Sequence, residues 1–294
     1  MVLMGRLGLE TARIPHVDRH GLLWLGRGNL VVIDGALHFI AAASEEMKAG
    51  DYTIPQQTVS FILLGPGTTI SHDVLRLLAR HGTGLVAVGE GGVRLYSAPP
   101  IGPGDSGYAR QQMVLWADPE SRMKVIKRMY AWRLGKVLGP REISVLRGIE
   151  GARMKEVYQL LARKYGIEWH GRRYDRQNPE ATDLPNQAIN HSATAVEAAA
   201  TIAVAATGTI PQLGFIHEDA AGAFCLDIAD LYRDQLTIPA AFEAVQLARN
   251  DGQMPIERHV RRLVGRKLKE RKTIPDMIDR IKEILDADDH CGNP

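Results

Sequence analysis

The chain has 294 residues, 45% of them hydrophobic and 24% charged, enough apolar material for one large domain or two ordinary ones. A formal net charge of +2 provides no bulk attraction for nucleic acid, and two cysteines, Cys225 and Cys291, without C-x-x-C spacing argue against a disulfide framework or a zinc site. No stretch reaches the roughly 18–20 apolar residues that span a bilayer, and MVLMGRLGLETARIP lacks an apolar leader region, so the expectation is a cytoplasmic protein.

Residues 20–98 read as strands. GLLWLGRGNLVVIDGALHFIA alternates apolar runs with G-R-G-N and D-G, both hairpin-turn signals, so LGRGNL is expected to be a hairpin tip carrying Arg27, with Trp24 close by. TVSFILLG is β-branched and aromatic. HDVLRLLARHG has helical spacing between Ser71 as N-cap and Gly82 as the stop. TGLVAVGEGGVRLYSA reads as two short strands around residues 89–92. GEGG there lacks both a full G-x-G-x-x-G and the lysine of a phosphate loop, so it is a turn rather than a nucleotide site.

SAPPIGPGDSG, residues 97–107, holds three prolines and three glycines and reads as a linker. Beyond it the periodicity is helical, in ESRMKVIKRMYAWRLGKVL, IEGARMKEVYQLLARKYG, ATAVEAAATIAVAATG, CLDIADLYRDQL, AAFEAVQLARN and IERHVRRLVGRKLKERK. The expected class is α+β: a small N-terminal β-rich domain over 1–96, a linker over 97–107, and a larger all-α domain over 108–294.

Charge is unevenly placed. Residues 1–100 hold eight basic and eight acidic residues, whereas 121–136 carry six basic residues and 257–272 carry eight basic against two acidic. Such blocks are solvated helix faces or a footprint for a phosphate backbone.

The chemistry-bearing residues gather in HEDAAGAFCLDIADLYRD, residues 217–234. Asp227 and Asp230 stand at i and i+3, about 60° apart on one helix face. Their mutual repulsion calls for a divalent cation, an arginine or water. On this reading, neutralising Asp230 relieves the pair and leaves folding unchanged or improved. His217 ends an apolar segment in the loop before that helix, which makes an N/O metal cluster a candidate. Glu150, between Gly148 and Gly151 in VLRGIEGARMKEVY, offers a third carboxylate.

LRGIEGARMKEVYQLLARKYG, GRRYD (171–175), GFIHEDAAG and LDIADLYR together resemble the CRISPR adaptation integrase, the larger, metal-dependent endonuclease subunit that inserts new spacers. VIDGAL, PGTTISHDVLRLLARHGTGLVAVGEGGVRLY and LRGIEG are most similar to its subtype I-E branch, and the resemblance runs from about residue 10 to about residue 285. It implies an N-terminal β domain used in dimerisation, a helical catalytic domain, homodimers, and a small ferredoxin-like partner subunit bridged by two such dimers. It further implies Glu150, His217 and Asp230 as ligands of Mg²⁺ or Mn²⁺, and Asp227 as an additional catalytic acid, ligand or support. An imidazole ligand favours Mn²⁺, since Mg²⁺ prefers an all-oxygen shell.

Arg94 in GVRLY and Tyr174 in GRRYD fall in motifs that resemble DNA-contacting positions, and Arg258 and Arg261 belong to the basic stretch expected to hold phosphates of double-stranded DNA, both spacer precursor and CRISPR repeat. The implied reaction is transesterification by a 3′-OH, without ATP. Two rival readings of the same residues are a helical, Mg²⁺-dependent prenyl-transfer enzyme using D-x-x-D, and a non-catalytic DNA-binding scaffold.

Overall fold

The computed structural model describes residues 21–44, 47–97, 106–135, 139, 143–173, 182–251 and 253–286. Tyr174, Cys291 and most of the expected linker lie outside them. The described residues fall into two compact units. The strands and first helix up to Ala87 form one, and Val88–Tyr96 with the helices from residue 106 onward form the other.

The first unit holds two sheets. In one, β2 (Gly28–Ile33) pairs antiparallel with β3 (Ala36–Ala41), β3 pairs antiparallel with β4 (Gly50–Ile54), and β2 pairs parallel with β6 (Thr68–Ile70). The β2–β3 hairpin turns at Asp34 and Gly35, whose φ values of 50° and 79° are those of the D-G turn expected there. In the other sheet β5 (Val59–Leu64) lies between β1 (Gly21–Leu25) and β7 (Gly84–Val88), parallel to both.

The expected hairpin at LGRGNL does not form. β1 pairs with β5 and β2 with β3 and β6, so Gly26–Arg27 carries the chain from one sheet to the other. A turn dipeptide signals a local bend; which strands then pair is decided by the apolar faces available.

α1 (His72–His81) follows Ser71 and stops at Gly82, as expected. Its Val74 and Leu78, one turn apart, bury on Leu30, Leu37, Phe39, Ile54 and Ile62, the centre of this unit's core.

The second unit is helical: α2 (Gly107–Ala117), α3 (Pro119–Leu134), α4 (Ile143–Lys164), α5 (Leu184–Thr207), α6 (Ala223–Asp230), α7 (Ile238–Asn250), α8 (Ile256–Glu270) and α9 (Thr273–Leu285). A π turn, Arg233–Thr237, links α6 to α7. The segment Val88–Tyr96, with a tight turn at Glu90–Gly92 and the short strand β8 (Leu95–Ser97) beginning within it, packs against α8.

α5 is the axis. Its N-cap Asp183 accepts from the backbone N–H of Asn186 (2.9 Å), Pro185 stands in its first turn, and Gly208 ends it. Alanine-rich and buried on all but one polar stripe through Gln187, Asn190, Thr194, Glu197 and Thr201, it is packed by α6, α7, α8 and α9. Among the described residues no helix is long and apolar enough to cross a membrane.

Candidate active site

The site is built around a four-residue loop, Gly214–His217, and one buried acid. Asp227, 1% exposed on α6, accepts the backbone N–H of Phe215 (2.6 Å) and of Ile216 (3.0 Å) on Oδ2, and that of His217 (3.0 Å) on Oδ1. The loop carbonyls are met by side chains from three other helices. Trp116 Nε1 donates to Gly214 O (2.9 Å), Arg122 Nη2 to Phe215 O (2.8 Å), and Arg147 Nη2 to Ile216 O (2.6 Å). With its polar groups satisfied this way, an irregular loop can be buried. Gly214 is required by close approach, since a Cβ there would stand 2.3 Å from His217 O.

The same Oδ1 of Asp227 lies 2.7 Å from His217 Nδ1. The carboxylate thus fixes the ring and leaves Nε2 facing Asp230 Oδ2 at 3.9 Å. The hydrogen bond to Asp227 raises the His217 pKa above its ordinary value; Asp227, Asp230 and Glu150 add to the rise and burial opposes it.

Asp230, one turn on, is flanked by two guanidinium groups. Arg233 Nη1 lies 3.2 Å from Oδ1 and Arg133 Nη1 lies 3.5 Å from Oδ2. Arg233 also donates to Tyr158 Oη (3.3 Å). Glu150, on α4, pairs with the same Arg133 Nη1 at 2.8 Å. Tyr130, one turn before Arg133 on α3, has its phenol pushed well above the usual range, first by burial and then by the Glu150 carboxylate. Glu197, on α5, is raised likewise by burial and by Asp230.

The structure therefore brings Glu150, His217, Asp227 and Asp230 to one place, but not in one role. Asp227 is enclosed and faces the loop, whereas Asp230 and Glu150 are partly exposed, at 25% and 20%, and His217 at 38%. Among the described residues no three His, Cys, Asp or Glu side chains stand at ligand spacing for a metal ion. The cation shared between Glu150 and Asp230 is Arg133. In kind, the donors fit a divalent ion: one imidazole nitrogen, held by a carboxylate behind it, and two accessible carboxylates.

A cleft of about 600 Å³ opens along α4 just past Glu150, lined by Gly151, Met154, Lys155, Tyr158, Trp169 and His170. Trp169 stacks on Tyr158 with ring centroids 5.0 Å apart and gives its wall a flat aromatic character.

Arg94 is exposed and pairs with Glu257, which also meets Arg261 at 3.5 Å one turn along α8. Arg258 is exposed on the same helix. The stretch 121–136 is not one solvated face. Arg122 pairs with Glu218 and the loop, Arg128 donates to Glu283 O (2.8 Å), and Arg133 is buried. Sequence reading missed Arg133, Arg233, Arg122, Arg147 and Tyr130 as members of the site. One signal was present for Arg133: it stands in Y-A-W-R-L, where a solvated face would not be expected.

A family model described as "CRISPR associated protein Cas1" matches residues 126–268. A "CRISPR-associated endonuclease Cas1" of Escherichia coli (strain K12) is 37% identical, over 93% of this chain and 87% of the relative. The "CRISPR-associated endonuclease Cas1 3" of Methanospirillum hungatei JF-1 is 35% identical, over 93% and 89%. Among solved structures, "Crystal structure of TtCas1-DNA complex" superposes with a TM-score of 0.80 at 31% identity, covering 91% of this chain and 97% of that one.

Proposed function

The chain belongs to the CRISPR associated protein Cas1 family, and from that premise we propose that it is a metal-dependent DNA endonuclease and integrase that inserts short duplexes into a CRISPR repeat array. The observation that carries this reading is the convergence of Glu150 on α4 with His217 and Asp230, from the loop before α6 and the end of α6, around an imidazole whose orientation is fixed from behind by Asp227.

His217 Nε2, Asp230 and Glu150 would hold Mg²⁺ or Mn²⁺, with Asp227 as the positioning acid. The bound ion would polarise the scissile phosphodiester and make the attacking 3′-hydroxyl more acidic. Asp227 keeps the His217 ring from turning. Arg233 and Arg133 flank Asp230, so that its carboxylate is held in a set orientation toward the place the ion would take beside His217 Nε2. The aromatic wall at Tyr158 and Trp169, with Lys155 on the rim, suits a nucleic-acid strand running past Glu150.

The proposal includes a homodimer built through the N-terminal unit and a small ferredoxin-like partner subunit, as in the family, and a cytoplasmic setting. Arg94, Tyr174, Arg258 and Arg261 are proposed DNA contacts.

The test is to incubate the protein with its small partner, a short duplex and a supercoiled repeat plasmid, with Mg²⁺ or Mn²⁺. Covalent joining of duplex to plasmid is expected, and a His217→Ala variant is expected to lose it by at least about a hundredfold. Wild-type-like joining by His217→Ala at low metal concentration would remove His217 from the site.

A second measurement addresses the basic helix. Arg258→Glu with Arg261→Glu is expected to weaken duplex binding and to lower the log–log salt slope by about 0.9 for each phosphate no longer neutralised. An unchanged slope would make α8 a solvated face and nothing more.

A further inference from the structure

We propose that Arg133 is the resident counter-ion of the site in its metal-free state: it holds the two carboxylates that a divalent cation takes, and its fixed charge sets how tightly that cation binds. The proposal rests on the metal-dependent reading of the site and concerns a residue that reading does not use as a ligand.

The geometry is unusual for a structural ion pair. Arginine suits carboxylates because its planar fork donates two parallel hydrogen bonds. Arg133, with a side chain only 4% exposed, instead presents a single nitrogen, Nη1, to both Glu150 (2.8 Å) and Asp230 (3.5 Å). Its Nε and Nη2 are buried and find no partner. A clamp evolved only to tie α3 to its neighbours would be expected to satisfy those donors, since each buried orphan is a standing cost. What the guanidinium does accomplish is to place one positive charge between two acids that would otherwise repel each other beside a third, Glu197.

The two contacts differ in a way that suits an exchange. Glu150 is held closely. Asp230 is held more loosely and has a second cation, Arg233, at 3.2 Å, so it keeps a partner when Arg133 releases it. His217 Nε2 already faces that same Asp230 oxygen, Oδ2. A divalent ion entering there meets an arginine that cannot give up its proton. Its binding is therefore weakened by repulsion from Arg133, while Arg133 keeps the acids from drifting apart between metal-bound states.

The experiment uses the full chain without DNA and without turnover. Wild type, Arg133→Met and Arg133→Lys are compared by the electron paramagnetic resonance signal of free Mn²⁺, which gives Mn²⁺ affinity, and by thermal melts over a Mn²⁺ series. Arg133→Met keeps an unbranched apolar stem but removes the charged head. It is expected to melt below wild type in the absence of metal, to bind Mn²⁺ at least about tenfold more tightly, and to recover most of its lost melting temperature as Mn²⁺ is added. Arg133→Lys, which keeps the charge, is expected to bind Mn²⁺ much as wild type does.

Equal or weaker Mn²⁺ binding by Arg133→Met, with a melt below wild type at every Mn²⁺ concentration, would reduce Arg133 to a structural clamp and overturn the proposal. A wild-type chain that stays folded and takes up no Mn²⁺ would overturn the metal-dependent reading itself. Should Arg133→Met not fold, Arg133→Lys decides: a tenfold change in its Mn²⁺ affinity would show that charge is not what sets binding.

Discussion

Asp230→Asn is expected to reduce strand joining by at least about a hundredfold while duplex binding survives. The substitution keeps the side chain's size and removes its charge. Asp230 is the acid that His217 Nε2 faces and that Arg133 and Arg233 hold in place. A neutral amide there would lose most of its hold on a divalent ion, and the transition state would lose that support. On the proposed reading, duplex affinity would draw instead on exposed arginines such as Arg258 on α8, a different helix from the one carrying Asp230.

The structure alters one part of what the sequence suggests for this variant. From spacing alone, relief of repulsion between Asp227 and Asp230 leaves stability unchanged or improved. But Asp227 is enclosed by backbone N–H donors and Asp230 sits between two guanidinium groups. Removing the Asp230 charge leaves Arg133 and Arg233 short of a partner, so the melting temperature is expected to fall by a few degrees. A gel shift, a joining assay and a melt on one preparation check all three. Loss of binding and joining together would make Asp230 a structural residue.

Asp227→Ala should be the most damaging single change in the helical unit. It removes the acceptor of three backbone N–H groups and of the His217 ring at once. Each buried donor left unmet costs about 1–3 kcal/mol, against a total stability of roughly 5–15 kcal/mol for a domain. The variant is expected to be poorly soluble or to melt far below wild type. Wild-type melting and joining by Asp227→Ala would show that the loop does not depend on it.

Asp227→Asn is gentler and adds a pH signature. The raised pKa of His217 is owed first to Asp227. The stability it contributes is complete below the unfolded histidine value of about 6.5 and is lost as pH rises through the higher folded value. The gap in melting temperature between wild type and Asp227→Asn is therefore expected to be wider near pH 6 than near pH 9.

What the sequence discloses follows from how local each signal is. α1 is legible because Ser71, its apolar spacing and Gly82 lie within twelve residues of one another. The change from strands to helices is legible from composition. The β1–β5–β7 pairing is not, because parallel neighbours come from distant stretches of chain and no dipeptide names them.

In the site, the spacing of His217, Asp227 and Asp230 marks the place but cannot rank the two acids, since both lie on one face of α6. The ranking comes from the N–H groups of Phe215, Ile216 and His217, which every sequence possesses and only a fold can aim. Arg133 is masked by its company: among six basic residues only its apolar neighbours in Y-A-W-R-L set it apart from a surface charge, and the packing of α3 turns it inward.

The central position of α5 has a consequence for how this chain is made. The helices that cover its apolar flanks, α6 to α9, all follow it in sequence, the last of them ending at Leu285. On a ribosome adding roughly 5–20 residues per second, an alanine-rich helix that is apolar over most of its circumference emerges and then waits several seconds for its cover. During that interval it is a target for holding chaperones and for self-association. A chain cut anywhere before α9 leaves that interval open, so C-terminal truncation is expected to reach the cell as aggregate and not as a smaller soluble protein.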